Sequence, residues 1–296
     1  LSNLSGGNIY LKIESEQHTG SFKARGSMNK VCYLKEQQVS NREAKPLNVI
    51  TASTGNHGMG VARALGLLGV EGKVVIPENT VATKVAALKA YGANIELHGA
   101  DCLVAELYAK QLAEEQGFTY ISPYNDPQVI AGQGTIAKEI IEQCPTTIDN
   151  VFVTVGGGGL ISGIATYFKA NSPNTKILGC QPKNSPEMTL SVQSNSYQTV
   201  EQLDTLSDAS AGAFEEGAIT FDICKKLVDG FYLATETEIA AAIKLLFNKE
   251  RKLVEGAAAV ALSAWFTNLE QFQNQTSVIV ICGGNISLEK LKKVLG

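Results

Sequence analysis

The sequence has few of the residues from which metal, disulfide or nucleic-acid sites are built. Its 296 residues include three histidines, and its six cysteines form no C-x-x-C pair. Neither a zinc site nor a disulfide framework is therefore indicated. The net charge is −4 at pH 7, and no basic stripe is present to hold phosphate backbones. We expect no nucleic-acid partner and a reducing, cytoplasmic setting for the cysteines.

The sequence also lacks any run of about 18 apolar residues and any basic-then-apolar leader. We therefore predict no membrane span and no secretion signal. The loop-like start at Leu1 runs almost at once into a strand, which leaves room for a segment that precedes this numbering. No internal repeat or low-complexity tract is present.

Short apolar runs alternate with helical stretches through most of the chain, and 44% of the residues are hydrophobic. The runs read as strands at 49–52, 74–77, 94–97, 151–155, 176–180 and 278–282. Helices are predicted after residue 56 through 65, and over 84–91, 105–115 and 160–168. Apolar strands with helices between them are typical of parallel sheets covered on both faces, so the predicted fold class is α/β.

The length favours two domains over one. We predict a larger domain from residues 1–45 and 127–296, with a smaller α/β domain, 46–126, inserted into it. Polar segments at 41–46 and 122–127 bound the smaller domain. The cleft between two such domains is the expected ligand site.

A helix start is predicted at Thr235, because Glu238 completes a capping box with it. The helix that follows carries one apolar stripe, which we assign to the core: Ile239, Ile243, Leu246 and Phe247.

Four consecutive glycines, Gly156, Gly157, Gly158 and Gly159, follow one predicted strand and precede a helix. Glycines let backbone N–H groups approach an anion, and a helix N-terminus adds positive potential. The alternative is a flexible turn. Neither a Walker A lysine nor the acidic residue of a dinucleotide site follows. The pattern thus favours a single phosphate group, such as the one that pyridoxal phosphate carries.

A second strand-to-helix junction reads Ser53-Thr54-Gly55-Asn56-His57-Gly58. Its hydroxyls, amide and N–H groups can hold a carboxylate. Helix capping by Ser53 or Thr54 is the alternative and would explain one hydroxyl. A lone histidine such as His57 is more often a hydrogen-bonded structural residue than a base.

Two further motifs complete the pattern: Ser21-Phe22-Lys23-Ala24-Arg25-Gly26 and Cys282-Gly283-Gly284-Asn285. The first reads as a short polar loop, and Lys23 alone would be a surface lysine. Cys282 alone would be a buried strand-end thiol. Both motifs indicate a cofactor site only in combination with the predicted phosphate and carboxylate loops.

In chain order, the four motifs at 21–26, 53–58, 156–159 and 282–285 resemble those of fold-type II pyridoxal phosphate enzymes, which are tryptophan synthase β-like in fold. The resemblance covers nearly the whole chain, including residues 130–135, and is strongest to serine/threonine dehydratases and serine racemase. It implies two three-layer αβα domains with a cleft, pyridoxal phosphate as cofactor and, from the family alone, a homodimer. A C-terminal regulatory domain of the biosynthetic threonine dehydratases is not expected.

The resemblance implies that Lys23 forms the Schiff base with the cofactor and that Phe22 and Asn56 flank its ring. Cys282 would face the pyridine nitrogen, and Glu255 would lie near the cofactor. The phosphate would be bound by Gly156, Gly157, Gly158, Gly159 and Leu160. The substrate carboxylate would be held by Ser53, Thr54, Gly55, Asn56 and His57.

The resemblance also implies the reaction, α,β-elimination from a 3-hydroxy amino acid to a 2-oxo acid and ammonia, with Lys23 and Thr54 as catalytic residues. In serine racemase a serine acts where this chain has Thr54, so racemisation is disfavoured. Cys282 cannot stabilise a protonated pyridine as a carboxylate would, which suits elimination. The alternatives are a racemase, a dehydratase specific for 3-hydroxyaspartate or 3-phenylserine, and a noncatalytic ligand-sensing protein.

Two departures from the relatives concern cation binding and specificity. Metal-dependent relatives carry a glutamate where this chain has Gln181, which leaves Glu187 as the only carboxylate of that loop. A divalent cation is therefore disfavoured, and no metal ligands are assigned. The segment 208–217 replaces a shorter glycine-bearing loop, and it either shapes side-chain specificity or forms an exposed acidic turn.

Overall fold

The fold is described from a computed structural model that covers residues 1–40 and 46–296. Its strands are β1 Ile9–Ile13, β2 Asn48–Ala52, β3 Glu71–Ile76, β4 Ile95–Leu97, β5 Thr119–Tyr120, β6 Asn150–Thr154, β7 Lys176–Pro182, β8 Gly230–Ala234 and β9 Ser277–Ile281. Its helices are α1 Ser2–Ser5, α2 Lys23–Ser40, α3 Asn56–Leu68, α4 Ala82–Ala90, α5 Cys102–Gln116, α6 Pro127–Gln143, α7 Gly159–Asn171, α8 Glu187–Ser194, α9 Ile219–Leu227, α10 Glu236–Glu250, α11 Gly256–Thr267 and α12 Leu288–Leu295.

The chain forms two compact units. The first consists of Leu1–Phe22 and Gln133–Gly296, and the second is Lys23–Gly132. These borders differ from the predicted domain limits, which lie after residues 45 and 126. The division into domains stays a prediction. Most of the predicted linker at 41–46 falls outside the described residues.

The first unit is built on a five-stranded parallel sheet with the order β1-β9-β6-β7-β8. Every residue of β6 and β9 is buried, whereas the edge strand β1 is half-buried throughout. Strands that are buried on both faces favour continuous apolar sequence, and β6 and β9 contain such runs at 151–153 and 278–281. Helix α11 is buried from Gly256 through Trp265, and Thr154 at the end of β6 donates to its Ala257 carbonyl at 2.6 Å.

The second unit holds a four-stranded parallel sheet with the order β4-β3-β2-β5. Helices α2 and α3 pack on it through a cluster that includes Val31, Val49 and Val61, each fully buried. Helix α5 packs through Ala105 and Ala109 against Ile50 of β2. The small side chains let helix and sheet approach closely.

The α/β fold with parallel sheets is as the sequence predicts. All six predicted strands are present, with ends shifted by up to three residues, and the capping box of Thr235 and Glu238 is formed. Two expectations are wrong. Phe247 is 46% exposed, because Leu246 takes the buried position at this turn of α10. Lys23 is not in a loop but is the first residue of α2.

The part of the chain described here contains no helix that is both long and apolar enough to cross a membrane.

Candidate active site

In the second unit, the loop of residues 53–58 leaves the carboxyl end of β2 and enters α3. The N-cap of α3 is Gly55, and no side chain caps the helix. Capping by Ser53 or Thr54 is therefore wrong; the Ser53 hydroxyl accepts from the N–H of Gly55 at 3.2 Å. Gly58 is required because a Cβ there would collide with the Ser53 carbonyl oxygen. Residues Ser53, Thr54, Gly55 and Asn56 are half-buried, so the polar groups of the loop are partly open.

His57 belongs to the same loop but is buried, with 3% exposure. Its Nε2 lies 3.1 Å from the carbonyl oxygen of Ile121, just after β5. A carbonyl can only accept, so Nε2 carries the hydrogen. Burial, and next the positive charge of Lys23, lowers the pKa of His57 to about 3. The side chain is therefore a neutral imidazole whose hydrogen bond anchors the loop to Ile121.

Lys23 lies close to this edge. Its Nζ donates to the carbonyl oxygen of Pro123 at 2.7 Å, two residues beyond the partner of His57. Helix α3 comes near the start of α2 at Gly60, where a Cβ would lie 2.8 Å from Ser27 Oγ and 3.1 Å from the Lys23 carbonyl oxygen. The second unit thus brings the predicted catalytic lysine and the predicted carboxylate loop to one edge of its sheet.

In the first unit, the four glycines connect β6 with α7. We call residues 156–159 the glycine loop. Gly158 is the N-cap of α7, has a φ of 87° and brings no side chain to cap the helix. A Cβ on Gly158 would lie 2.9 Å from Thr220 Cβ and 3.1 Å from Met188 Cε. The loop therefore has bare backbone at a helix N-terminus, where N–H groups attract an anion. Leu160 is the second residue of α7 and is buried.

The residues just before Lys23 meet the motif at the end of β9. The N–H of Phe22 donates to the Cys282 carbonyl oxygen at 3.0 Å, and Ser21 forms an isolated antiparallel bridge with Gly283. The amide of Asn285 donates to the Thr19 carbonyl oxygen at 2.8 Å, although 266 residues separate them in sequence. The first unit therefore joins two of the four motifs directly.

Glu255 is buried beside this junction, with 5% exposure. Its N–H donates to the Gly283 carbonyl oxygen at 3.2 Å, and a Cβ on Gly283 would collide with its Oε1. Because β6 and β9 are parallel neighbours, the glycine loop and Cys282 leave the same edge of the sheet. Phe22, Glu255, Cys282 and the glycine loop are thus assembled at one sheet edge, and their roles toward a cofactor stay a prediction.

Sequence reasoning missed three groups that shape these edges. Pro123, which holds Lys23, was read as part of a domain border. Ser210 and Thr220 support the glycine loop: a Cβ on Gly156 would lie 3.0 Å from the Ser210 carbonyl oxygen, and Thr220 Oγ1 donates to the Gly157 carbonyl oxygen at 2.8 Å. No local sequence pattern signals such long-range contacts.

The loop around Gln181 does not resemble a cation site. Both the N–H and the hydroxyl of Thr189 donate to Gln181 Oε1 at 2.7 Å. Glu187 is 1% exposed, accepts from the Ser185 hydroxyl at 2.9 Å, and leaves its Oε1 without a hydrogen bond. Burial raises the pKa of Glu187. Within residues 1–40 and 46–296, no cluster of three His, Cys, Asp or Glu residues could hold a metal ion.

These residues do fit pyridoxal phosphate. The glycine loop and the uncapped start of α7 offer N–H groups to a phosphate without a side chain in the way. Lys23 carries an amine, and the thiol of Cys282 is buried. Parallel α/β units with this lysine and this glycine loop define the fold-type II class of pyridoxal phosphate enzymes.

Comparison with known proteins agrees with this class. The chain belongs to the family of pyridoxal-phosphate dependent enzymes, whose model matches residues 1–283. It is 40% identical to a biosynthetic threonine dehydratase 2 of Solanum lycopersicum over 99% of its length, and 38% identical to an L-threonine ammonia-lyase of Thermotoga maritima over 100%. The chain spans 48% of the tomato protein and 71% of the Thermotoga protein.

Solved structures show the same fold. The processed form of tomato threonine deaminase isoform 2 matches with a TM-score of 0.92 at 39% identity, over 99% of this chain and 79% of that one. Maize serine racemase matches with a TM-score of 0.88 at 32% identity, over 99% and 88%. Elimination and racemisation enzymes are thus both among the structural relatives.

Proposed function

We propose that the protein is a pyridoxal phosphate-dependent ammonia-lyase that converts a 3-hydroxy amino acid of the serine/threonine type to a 2-oxo acid and ammonia. The observation that carries the proposal is the position of Lys23, held by the Pro123 carbonyl beside the 53–58 loop at one sheet edge. Similarity to threonine dehydratases along nearly the whole chain supports the same activity.

In this proposal Lys23 holds the cofactor covalently and then moves a proton at the substrate Cα. The Pro123 carbonyl limits the positions of Nζ before reaction, so the amine is oriented rather than free in solvent. Cofactor binding would use the glycine loop, with Leu160, for the phosphate. Phe22 and Asn56 would flank the ring, Glu255 would lie near it, and Cys282 would face the pyridine nitrogen.

The substrate carboxylate would be bound by the loop residues Ser53, Thr54, Gly55 and Asn56, which His57 fastens to the end of β5. A neutral imidazole suits this place, since a second positive charge beside Lys23 would make the amine harder to protonate. Thr54 would place its hydroxyl near the reacting carbon. Pyridoxal phosphate, when bound, supplies the electron sink for the pair released at Cα. The β-hydroxyl would leave with one proton as water, which balances the proton removed at Cα, and hydrolysis would release ammonia and the 2-oxo acid.

The proposal is tested with Lys23→Ala, because Lys23 is the amine proposed to form the covalent link. Lys30→Met is the matched control: it removes a lysine of the same helix, one that pairs with Asp126 at 2.6 Å. We expect the wild type and Lys30→Met to show a visible cofactor band, borohydride-trappable cofactor and 2-oxo acid formation. Lys23→Ala should lose all three. Turnover in Lys23→Ala, or a wild type without a cofactor band, would overturn the proposal.

Racemisation is the second candidate, and the likeness to maize serine racemase favours keeping it. Chiral analysis after incubation with L-serine separates the two, because a racemase produces D-serine without 2-oxo acid. A panel of 3-hydroxy amino acids that includes threonine, 3-hydroxyaspartate and 3-phenylserine identifies the preferred side chain. The same panel with a chelator tests for a divalent cation.

We also propose that the protein is a homodimer in the cytoplasm. The dimer is carried over from the family resemblance, and light scattering on a sizing column tests it. The compartment is supported by the six cysteines, all of which are free thiols, as expected in a reducing setting. Localisation by microscopy of the tagged full-length protein is the corresponding test.

A further inference from the structure

The glycine loop is backed by a segment with no helix or strand of its own. We call residues 205–210 the support segment. A Cβ on Gly156 would lie 3.0 Å from the carbonyl oxygen and 3.2 Å from the Cα of Ser210. The two main chains are therefore in direct contact, without a side chain to absorb a shift. A displacement of the support segment would move the wall against which the glycine loop rests.

The internal bonds of the support segment are short-range. The N–H of Ser207 donates to the Thr205 hydroxyl at 3.1 Å. The N–H of Ser210 donates to the Ser207 carbonyl oxygen at 3.0 Å, and the hydroxyls of Ser207 and Ser210 lie 2.5 Å apart. These bonds shape the turn but do not fix its place on the unit. Its place must be set by side chains that come from elsewhere.

Glu236, in the first turn of α10, supplies the main anchor. Its Oε1 accepts from the Thr205 hydroxyl at 2.6 Å, and its Oε2 accepts from the Leu206 N–H at 2.7 Å. Both carboxylate oxygens are thus used, one for each of two consecutive residues. Such charge-assisted bonds are shorter and stronger than neutral ones.

Two further contacts hold the same segment. Lys290 of α12 pairs with Asp208 at 3.0 Å and donates to the Thr205 carbonyl oxygen at 3.2 Å. At the start of α11, a Cβ on Gly256 would collide with the Leu206 carbonyl oxygen, so the helix abuts the segment closely. The ion pair of Lys290 contributes less, because its partner Asp208 is exposed, whereas the Glu236 bonds reach buried Thr205.

We propose that Glu236 is a positioning residue that holds the support segment against the glycine loop and so sets the affinity of the protein for the cofactor phosphate. This inference rests on the proposed function, since it takes the glycine loop as the phosphate site. Glu236 contacts neither the glycine loop nor Lys23 in the bonds described above. It acts through Thr205, Leu206 and the backbone of Ser210.

A neighbouring glutamate provides a matched control. Glu238 lies in the same first turn of α10, and its Oε2 accepts from the Thr235 N–H at 2.7 Å as part of the capping box. Its bond stays within the helix start and does not reach the support segment. Glu236→Gln and Glu238→Gln therefore remove the same charge from the same turn, but only the first frees the segment. Glutamine has one acceptor oxygen, so in Glu236→Gln one of the two donors loses its partner.

The experiment titrates apoprotein of each variant with pyridoxal phosphate and, separately, with pyridoxal, following the change in protein fluorescence. We expect Glu236→Gln to bind pyridoxal phosphate about tenfold more weakly, the effect of one charge-assisted hydrogen bond, and to bind pyridoxal as the wild type does. Glu238→Gln should keep both affinities and lower the melting temperature.

Equal losses of pyridoxal phosphate affinity in the two variants would overturn the inference, and so would an equal loss for pyridoxal in Glu236→Gln. If Glu236→Gln does not fold, Thr205→Val removes the hydroxyl that donates to Glu236 and accepts from the Ser207 N–H, and it leaves the bond between Glu236 and the Leu206 N–H in place. The same phosphate-specific loss is expected of it. A wild type that fails to bind pyridoxal phosphate would instead refute the proposed function.

Discussion

Gly158 combines a left-handed backbone with a crowded position, and Gly158→Ala tests both. Its φ is 87°, and a new Cβ would lie 2.9 Å from Thr220 Cβ and 3.1 Å from Met188 Cε. Met188 can move its terminal methyl group away. Thr220 cannot yield easily, because it belongs to α9 and its hydroxyl is bonded to the Gly157 carbonyl oxygen.

The expected cost has two parts. A left-handed conformation costs a residue with a Cβ about 1–2 kcal/mol, and an extra carbon in a packed site costs about 1–3 kcal/mol. Gly158→Ala should therefore lower the free energy of unfolding by about 2–5 kcal/mol. Gly217→Ala is the matched control, since Gly217 has a φ of 77° and nothing lies within 4 Å of its would-be Cβ. It should cost about 1–2 kcal/mol, from the backbone alone.

Urea unfolding of the apoproteins measures both costs, provided the dependence on urea stays the same in each variant. The difference between the two variants isolates the contact with Thr220. Equal costs for Gly158→Ala and Gly217→Ala would show that the glycine loop is not packed as tightly as described, and would refute the reasoning. Pyridoxal phosphate affinity should fall in Gly158→Ala alone, because only that variant changes the proposed phosphate site.

Two predictions concern pH. Burial, and then the charge of Lys23, lowers the pKa of His57 from 6.5 to about 3. Between these two pH values the unfolded chain binds a proton at His57 and the folded protein does not. The stability that neutral His57 contributes is complete above about pH 6.5 and is lost as the pH falls toward 3, by up to about 1.4 kcal/mol per pH unit. Urea unfolding between pH 7 and pH 5 should show this slope in the wild type and not in His57→Gln, and parallel curves would contradict it. For Glu187, burial raises the pKa above 4.5, so its contribution is complete at low pH and is lost as the pH rises through the folded-state pKa. Glu187→Gln, which is neutral at every pH, should melt at a higher temperature than the wild type at pH 8, with a gap that closes toward pH 4; a gap that does not change with pH would rule out this account.

The sequence predicts those parts of the fold that depend on local patterns. Strands β6 and β9 each contain a continuous apolar run, so their burial on both faces follows from composition. The spacing of Thr235 and Glu238 predicts the start of α10. The sequence pattern does not predict helix α11, which is buried on all sides. A helix that is apolar all round has no periodic contrast between its faces. The start of α2 at Lys23 carries no capping residue that could mark it.

The candidate site also has one part that the sequence predicts and one part that it does not. Glycines between a strand and a helix indicate the phosphate loop from sequence alone. The bond between Lys23 and Pro123 and the bond between Glu236 and residue 206 each involve a backbone atom, whose partner no residue type specifies. The exposed acidic turn predicted as one option for 208–217 is only partly right. Asp208 is exposed, whereas Ser210 and Phe214 are buried.

The place of β1 at the edge of its sheet has a consequence for the order of folding. Strand β1 pairs only with β9 within that sheet, in register from Ile9 opposite Ser277 to Ile13 opposite Ile281. During synthesis β1 therefore cannot pair until β9 has been made. All strands of the second unit, Lys23–Gly132, are made much earlier. Closing so long a loop is slow. Among the strands described here, β1 is therefore the one exposed longest to mispairing and to chaperones.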